Sequence, residues 1–442
     1  MKRDIEADLE AWKDRKGRMP LLLRGARQVG KSYVVEKFGK AAFSQFVTVN
    51  FEQNPEYKTC FSTLDPVRIV NAIELLSGVR IEPGNTLLFL DEVQECPQAI
   101  LALRYFKEQM PALHVIAAGS LLEFVLNEAE FRMPVGRVEC MYLRPVSFAE
   151  YLDASGNAQL RSYLHKVHVG DQIEPAVHER LLTLVREYFA LGGMPAVLAE
   201  FFQSKSFLRC QEIQTSLLTI FRRDFGKYAK RSSQHEHLQT VFAKAPGLVG
   251  QWLKYSSIDP ETRAVTLKGA IQKLCDAGLI LLVRATSGQG LPFVTHADEK
   301  KCKFLFLDVG LVNRACHLSL ELLFKESLTM INEGALAEQF VGQELLAGLG
   351  SREENSLYAW LRAEPSSAAE IDYLTAVDSS IVPIEVKAGA TGSLRSLKLF
   401  LTEKKIPFGV RISEHPLSFV QQLLSIPLYM VEEMPRLVRE MR

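Results

Sequence analysis

The run Gly25-Ala26-Arg27-Gln28-Val29-Gly30-Lys31-Ser32 places glycine, lysine and a hydroxyl at the spacing GxxxxGK[ST]. These residue types at that spacing suit a polyphosphate. Glycines let successive backbone N–H groups wrap the phosphates, and the N-terminus of a following helix favours negative charge. Lys31 reaches the β- and γ-phosphates, and Ser32 binds Mg²⁺. The context that the motif requires is present, with the apolar run LLLR before it and a helical pattern after it. An accidental match anywhere in a chain of this composition has odds of roughly one in a hundred.

A complementary element follows at TLLFLDE, residues 86–92, an apolar strand ending in two carboxylates. Asp91 is expected to hold the metal, directly or through water, and Glu92 to orient and polarise the attacking water. Alone, such a pair reads as a turn; beside the glycine loop it points to hydrolysis of ATP with Mg²⁺ as cofactor. The strand HVIAAGS ends in Ser120. Ser120 has two readings, a sensor of the γ-phosphate and the N-cap of a helix over LLEFVL. Arg137, in MPVGRVE, is either a charge-stabilising finger or a surface arginine on a turn, and Arg222 and Arg223 are further candidates for a lid-borne sensor.

These residues must be positioned by a scaffold, and the hydrophobic pattern supplies one. Short apolar runs at 20–25, 46–52, 86–92 and 113–120 alternate with helical stretches, as expected for a parallel sheet covered on both faces. Ile5, Leu9 and Trp12 form the apolar stripe of a leading helix. From about 160 to 240 the pattern is helical, broken at Gly192-Gly193-Met194-Pro195. Residues 243–315 give helix, helix and β-hairpin, which fits a winged-helix unit or another small α+β fold. The remainder reads α-β-β-β-α-β, expected as a separate domain.

With 442 residues, 52 Lys+Arg and 52 Asp+Glu, the chain has no basic field, so a histone-like binder is excluded and any nucleic-acid surface must be a local patch. Its seven scattered cysteines contain no CxxC pair and give neither a disulfide framework nor a zinc ribbon. No apolar run approaches the length that spans a bilayer, and the charged N-terminus lacks a signal-like core. The expectation is a soluble, cytoplasmic protein without membrane contact.

Together, GARQVGKS, LLFLDEVQ, AAGS, MPVGRVECMYLRPVSFAEYL, YFALGGMP, EIDYL and IEVKAG resemble the prokaryotic AAA-type ATP-binding proteins that carry a restriction-endonuclease-like C-terminal module. The resemblance implies an α/β fold: an AAA-type P-loop core at 1–158, a helical lid at 159–240, a winged-helix-like unit at 241–325 and a PD-(D/E)xK nuclease-like domain at 326–442. It also favours the finger role for Arg137.

In a nuclease of that kind Asp372 and Glu385 hold Mg²⁺, and Lys387 activates water or stabilises the phosphorane. Glu385 and Lys387 are two apart and share a strand face. Glu338 is a further metal-ligand candidate, and Gln343 is placed to reach the same site. Alternating charged and apolar residues are equally what an exposed strand looks like, and no proline precedes Asp372. Arg395, Lys398, Lys404, Lys405 and Arg411 are candidates for a phosphate-facing surface, as are Lys254, Arg263, Lys268 and Lys273. The combined expectation is an ATP-hydrolysing, DNA-associated homo-oligomer with an appended nuclease-like domain, in which an arginine supplied by a neighbouring subunit completes the ATP site. DNA binding without cleavage and a nucleotide-switched protein-interaction module are the alternatives.

Overall fold

The strand Thr86–Asp91 is buried at all six positions. Such continuous burial requires cover on both sheet faces, which parallel strands with crossover helices provide. In the computed structural model, which describes residues 1–120, 122–126, 136–229, 231–325, 334–362, 369–387 and 394–441, this strand sits inside a five-stranded sheet. The strands are β1 (Leu21–Arg24), β2 (Gln45–Asn50), β3 (Thr86–Asp91), β4 (His114–Ala118) and β5 (Glu139–Tyr142). Their order is β2-β3-β4-β1-β5 and every neighbouring pair is parallel. The sheet belongs to the first of two compact units, formed by residues 1–144 with 276–278 and 350–354.

A core of Leu22, Val49, Leu88, Leu90, Ile100 and Phe106 fills this unit between the sheet and its helices. The leading helix Ile5–Asp14 buries Ile5, Leu9 and Trp12, the stripe its spacing requires.

The second unit comprises residues 145–275, 279–349 and 355–442. It opens with the helix Phe148–Ala154, whose start is fixed by a capping box between Ser147 and Glu150. Helices follow at Ala158–Leu164, Pro175–Leu191, Pro195–Ser204, Phe207–Tyr228 and Ser232–Lys244. The break at Gly192-Gly193 is enforced by packing as well as by backbone freedom. Gly192 has φ +72°, and a Cβ there would lie 2.1 Å from Asp308 Oδ1. The buried Asp308 carboxylate in turn accepts the Gly193 N–H at 2.5 Å.

Among the described residues no single helix is long and apolar enough to cross a membrane. Pro175–Leu191 and Pro195–Ser204 reach that character only as a pair bent by 118°, and Leu181, Val185, Phe189, Val197, Leu198 and Phe201 among their apolar residues are buried in this unit.

The strands of this unit are β6 (Ile280–Thr286), β7 (Ala297–Phe306), β8 (Tyr358–Leu361), β9 (Glu370–Val377), β10 (Ser380–Val386), β11 (Gly409–Ser413), β12 (Ser418–Val420) and β13 (Leu423–Pro427). They form one mixed sheet in the order β12-β13-β11-β10-β9-β8-β6-β7. The hairpin β6–β7, expected as the wing of a separate winged-helix unit, continues the C-terminal sheet: Arg284, Ala285 and Thr286 pair in parallel with Tyr358, Ala359 and Trp360. The expected boundary at 325/326 therefore runs between strands of one sheet, and residues 326–333 beside it lie outside the described residues.

Candidate active site

The glycine loop joins β1 to the helix Lys31–Ala42, whose N-cap Gly30 is left-handed at φ +95°. Gly25, at φ +143°, has no room for a side chain, because a Cβ would stand 2.2 Å from the Leu143 carbonyl oxygen. Both glycines are thus required by the path of the loop. Arg24, which precedes it, is fastened to Glu123 and to the Tyr142 hydroxyl.

Lys31 is buried, and its ammonium donates to the carbonyls of Gly25 (2.9 Å) and Ala26 (2.8 Å). Burial pulls its pKa down to about 8, against the opposing pull of Glu92 and Asp91. Ser32 Oγ donates to the carboxylate of Asp91 at 3.0 and 3.1 Å. The same carboxylate accepts from Asn50 Nδ2 at 3.1 Å and from the Glu92 N–H at 3.1 Å. Burial and the charge of Glu92 raise the Asp91 pKa. A hydroxyl and a buried carboxylate in contact, with an acid at the next residue, are the donor set that Mg²⁺ takes beside a bound triphosphate, so these residues fit that ion.

Glu92 is itself left-handed, at φ +50°. Its carboxylate accepts from Gln94 Nε2 at 2.7 Å and from Ser120 Oγ at 3.3 Å. Ser120 therefore lies at the acid expected to polarise water. Its capping alternative falls on Leu121, outside the described residues. Asn50 and Gln94 were not singled out by the sequence; only their positions, at a strand end and two residues after the acid pair, could have pointed to them. Arg137 is half-exposed, and its guanidinium donates to Glu108 and to the Gly136 carbonyl. Arg222 and Arg223 are exposed on the helix Phe207–Tyr228.

In the second unit the structure brings together Glu338, Asp372, Glu385 and Lys387. Lys387 Nζ lies 2.8 Å from Glu385 Oε1, and the Val386 N–H donates to Asp372 Oδ2 at 2.8 Å. The adjacency follows from antiparallel pairing of β9 with β10, in which Ile384 faces Tyr373. A lysine that the sequence reading missed, Lys303 of β7, joins them: its ammonium lies 3.1 Å from Glu338 Oε1 and 3.5 Å from Asp372 Oδ1.

Gln343 is not at this cluster. Its amide accepts from the Val309 N–H and donates to the Tyr188 hydroxyl, a buried structural link. Among the described residues the one group whose metal-ligating atoms all lie within 4.8 Å is His165, Glu432 and Glu433, not the carboxylates of Glu338, Asp372 and Glu385. Those three were expected as metal ligands, and the ammonium of Lys303 stands among them.

The parallel sheet, the glycine loop and the Ser32–Asp91 pair define a P-loop nucleotide-binding domain. Residues 17–152 match the family model described as an AAA domain; 182–322 and 333–429 match two models described as domains of unknown function, DUF8612 and DUF4143. No curated protein matches the chain. Among solved structures, the Walker-type ATPase PABY2304 of Pyrococcus abyssi is similar at 15% identity and a TM-score of 0.45, covering 71% of this chain and 95% of that one. The ORC2 protein of Aeropyrum pernix, in ADPNP–ADP complexes, is similar at 13% identity and a TM-score of 0.35, covering 74% and 96%.

Proposed function

We propose that the chain is a Mg²⁺-dependent ATPase whose first unit binds and hydrolyses ATP. The observation that carries this reading is the contact of Ser32 with Asp91 beside Glu92, which joins the glycine loop to a carboxylate pair at the end of β3. Gly25, Gly30 and the N–H groups up to Ser32 would cradle the phosphates. Lys31 would exchange the Gly25 and Ala26 carbonyls for phosphate oxygens, and Ser32 with Asp91 would hold the ion. Mg²⁺ would supply charge neutralisation at the β- and γ-phosphates. Glu92, held by Gln94 and Ser120, orients the water and takes its proton.

The reading extends to DNA as the ligand of the second unit and to a homo-oligomer in which Arg137 reaches a neighbour's nucleotide. Exposed Arg395, Lys398 and Lys405, on and just after the helix Arg395–Lys404, support the first extension. The half-exposed guanidinium of Arg137 supports the second.

ATP turnover by purified protein tests the reading, with Lys31→Ala and Glu92→Gln as controls and with single-stranded and duplex DNA added. Turnover that falls at least a hundredfold in both variants is expected. Equal turnover in all three proteins would overturn the ATPase reading. Turnover indifferent to every DNA would leave the ATPase and replace DNA with a protein partner.

A further inference from the structure

Lys303 lies on β7, an edge strand whose first half is exposed, yet its side chain is only 1% exposed. A buried ammonium is costly unless its donors are met. Here they are met: Glu338 Oε1 at 3.1 Å, Asp372 Oδ1 at 3.5 Å and Glu370 Oε1 at 4.0 Å, with the Trp252 ring centroid 5.3 Å away. Trp252 is brought there by an isolated bridge to Lys303 itself, and its indole N–H donates to Glu370. Gly250, at φ +76°, closes the same side; a Cβ there would come within 2.9 Å of Glu338 Oε2. The arrangement is a closed shell around one cation.

Mg²⁺ needs near-octahedral oxygens at about 2.1 Å. Several of the oxygens here are already engaged. Asp372 faces Lys303 with one oxygen and the Val386 N–H with the other, and Glu385 Oε1 meets Lys387. Within this cluster Glu385 Oε2 is buried without a hydrogen-bond partner.

We propose that Lys303 is the resident cation of this carboxylate pocket, standing where a nuclease of the resembled kind holds its metal, so that the second unit keeps the scaffold without a metal-dependent cleavage site. The lysine then serves as a tie, joining β7 and the segment 250–252 to the helix Ala335–Gly348 and to β9.

Mn²⁺ binding to the full chain without nucleotide, read from the electron paramagnetic resonance of free Mn²⁺, tests this. Native protein and Asp372→Asn are expected to bind the same number of ions. Lys303→Met is expected to gain one site, lost again in Lys303→Met/Asp372→Asn. Its Tm should fall by about 5 to 10 °C, with partial restoration by Mn²⁺. Lys303→Met/Glu338→Gln, which removes the cation and one carboxylate together, should recover at least half of that loss. A native Mn²⁺ site that disappears in Asp372→Asn, an unchanged Tm in Lys303→Met, or no recovery in the paired variant would each overturn the proposal.

Discussion

Ser32 Oγ stands 3.0 Å from one carboxylate oxygen of Asp91 and 3.1 Å from the other, a contact between residues 59 apart in sequence. On the proposed function these are two ligands of one ion, pre-assembled, and their effects on nucleotide binding should be coupled. Ser32→Ala and Asp91→Asn are each expected to weaken ATP binding in Mg²⁺ by about tenfold, roughly 1.4 kcal/mol, and to leave binding in EDTA nearly unchanged. The double variant should be little worse than either single one. Titration calorimetry in the two conditions checks this, and strictly additive losses would count against a shared ion.

Gln94 and Gly119 set the pose of Glu92. The Gln94 amide donates to Glu92 at 2.7 Å, while a Cβ at Gly119 would lie 2.2 Å from Gln94 Oε1. Removing the amide by Gln94→Ala, or displacing it by Gly119→Ala, should lower kcat for ATP by about tenfold with KM within threefold. Two unlike substitutions giving the same split would mark Gln94 as a positioning residue. A matched rise in KM would place it in ground-state binding instead.

The glycine loop and the acid pair were legible because their information is local: eight contiguous residues, then one apolar strand and its two terminal carboxylates. Asp372, Glu385 and Lys387 were legible as neighbours because consecutive strands usually pair. Lys303 was not, since its partners Glu338 and Asp372 lie 35 and 69 residues away and KKCK reads as an ordinary solvated strand end. The same distance hid the union of the hairpin with the C-terminal sheet. Pairing of Arg284 with Tyr358 spans β7 and the helices Val309–Ala315, Leu320–Lys325 and Ala335–Gly348, and no turn signal announces it. Gln343 was misplaced because a helix fixes which residues share a face but not which polar groups that face will meet.

The buried Lys31 makes nucleotide binding sensitive to alkali. Its pKa in the free protein is about 8, lowered by burial, so above pH 8 the neutral amine dominates. Phosphate oxygens favour the ammonium, and binding therefore takes up a proton in that range. ATP affinity should fall as pH rises from 7.5 to 9, by at most about tenfold per unit. Calorimetry at pH 8.5 in two buffers of different ionisation enthalpy should show uptake of a fraction of a proton. Lys31→Arg, charged throughout, should show none from this group.

Glu344 provides the corresponding test for stability. It is buried, and both its oxygens accept the Phe148 N–H, at 3.1 and 3.0 Å. Burial lifts its pKa from 4.5 to about 8. Between those values the folded chain retains a proton that the unfolded chain has released, so this group's contribution to stability declines as pH rises through the window and is lowest above 8. Glu344→Gln keeps an acceptor for Phe148 and removes the titration. Its stability relative to the native protein should therefore improve steadily from pH 5.5 to pH 8.5, by about 1 to 3 kcal/mol in all. Urea unfolding at three pH values measures the difference. A gap that stays constant with pH would mean that Glu344 remains ionised in the fold, stabilised by the Phe148 N–H more strongly than burial opposes it.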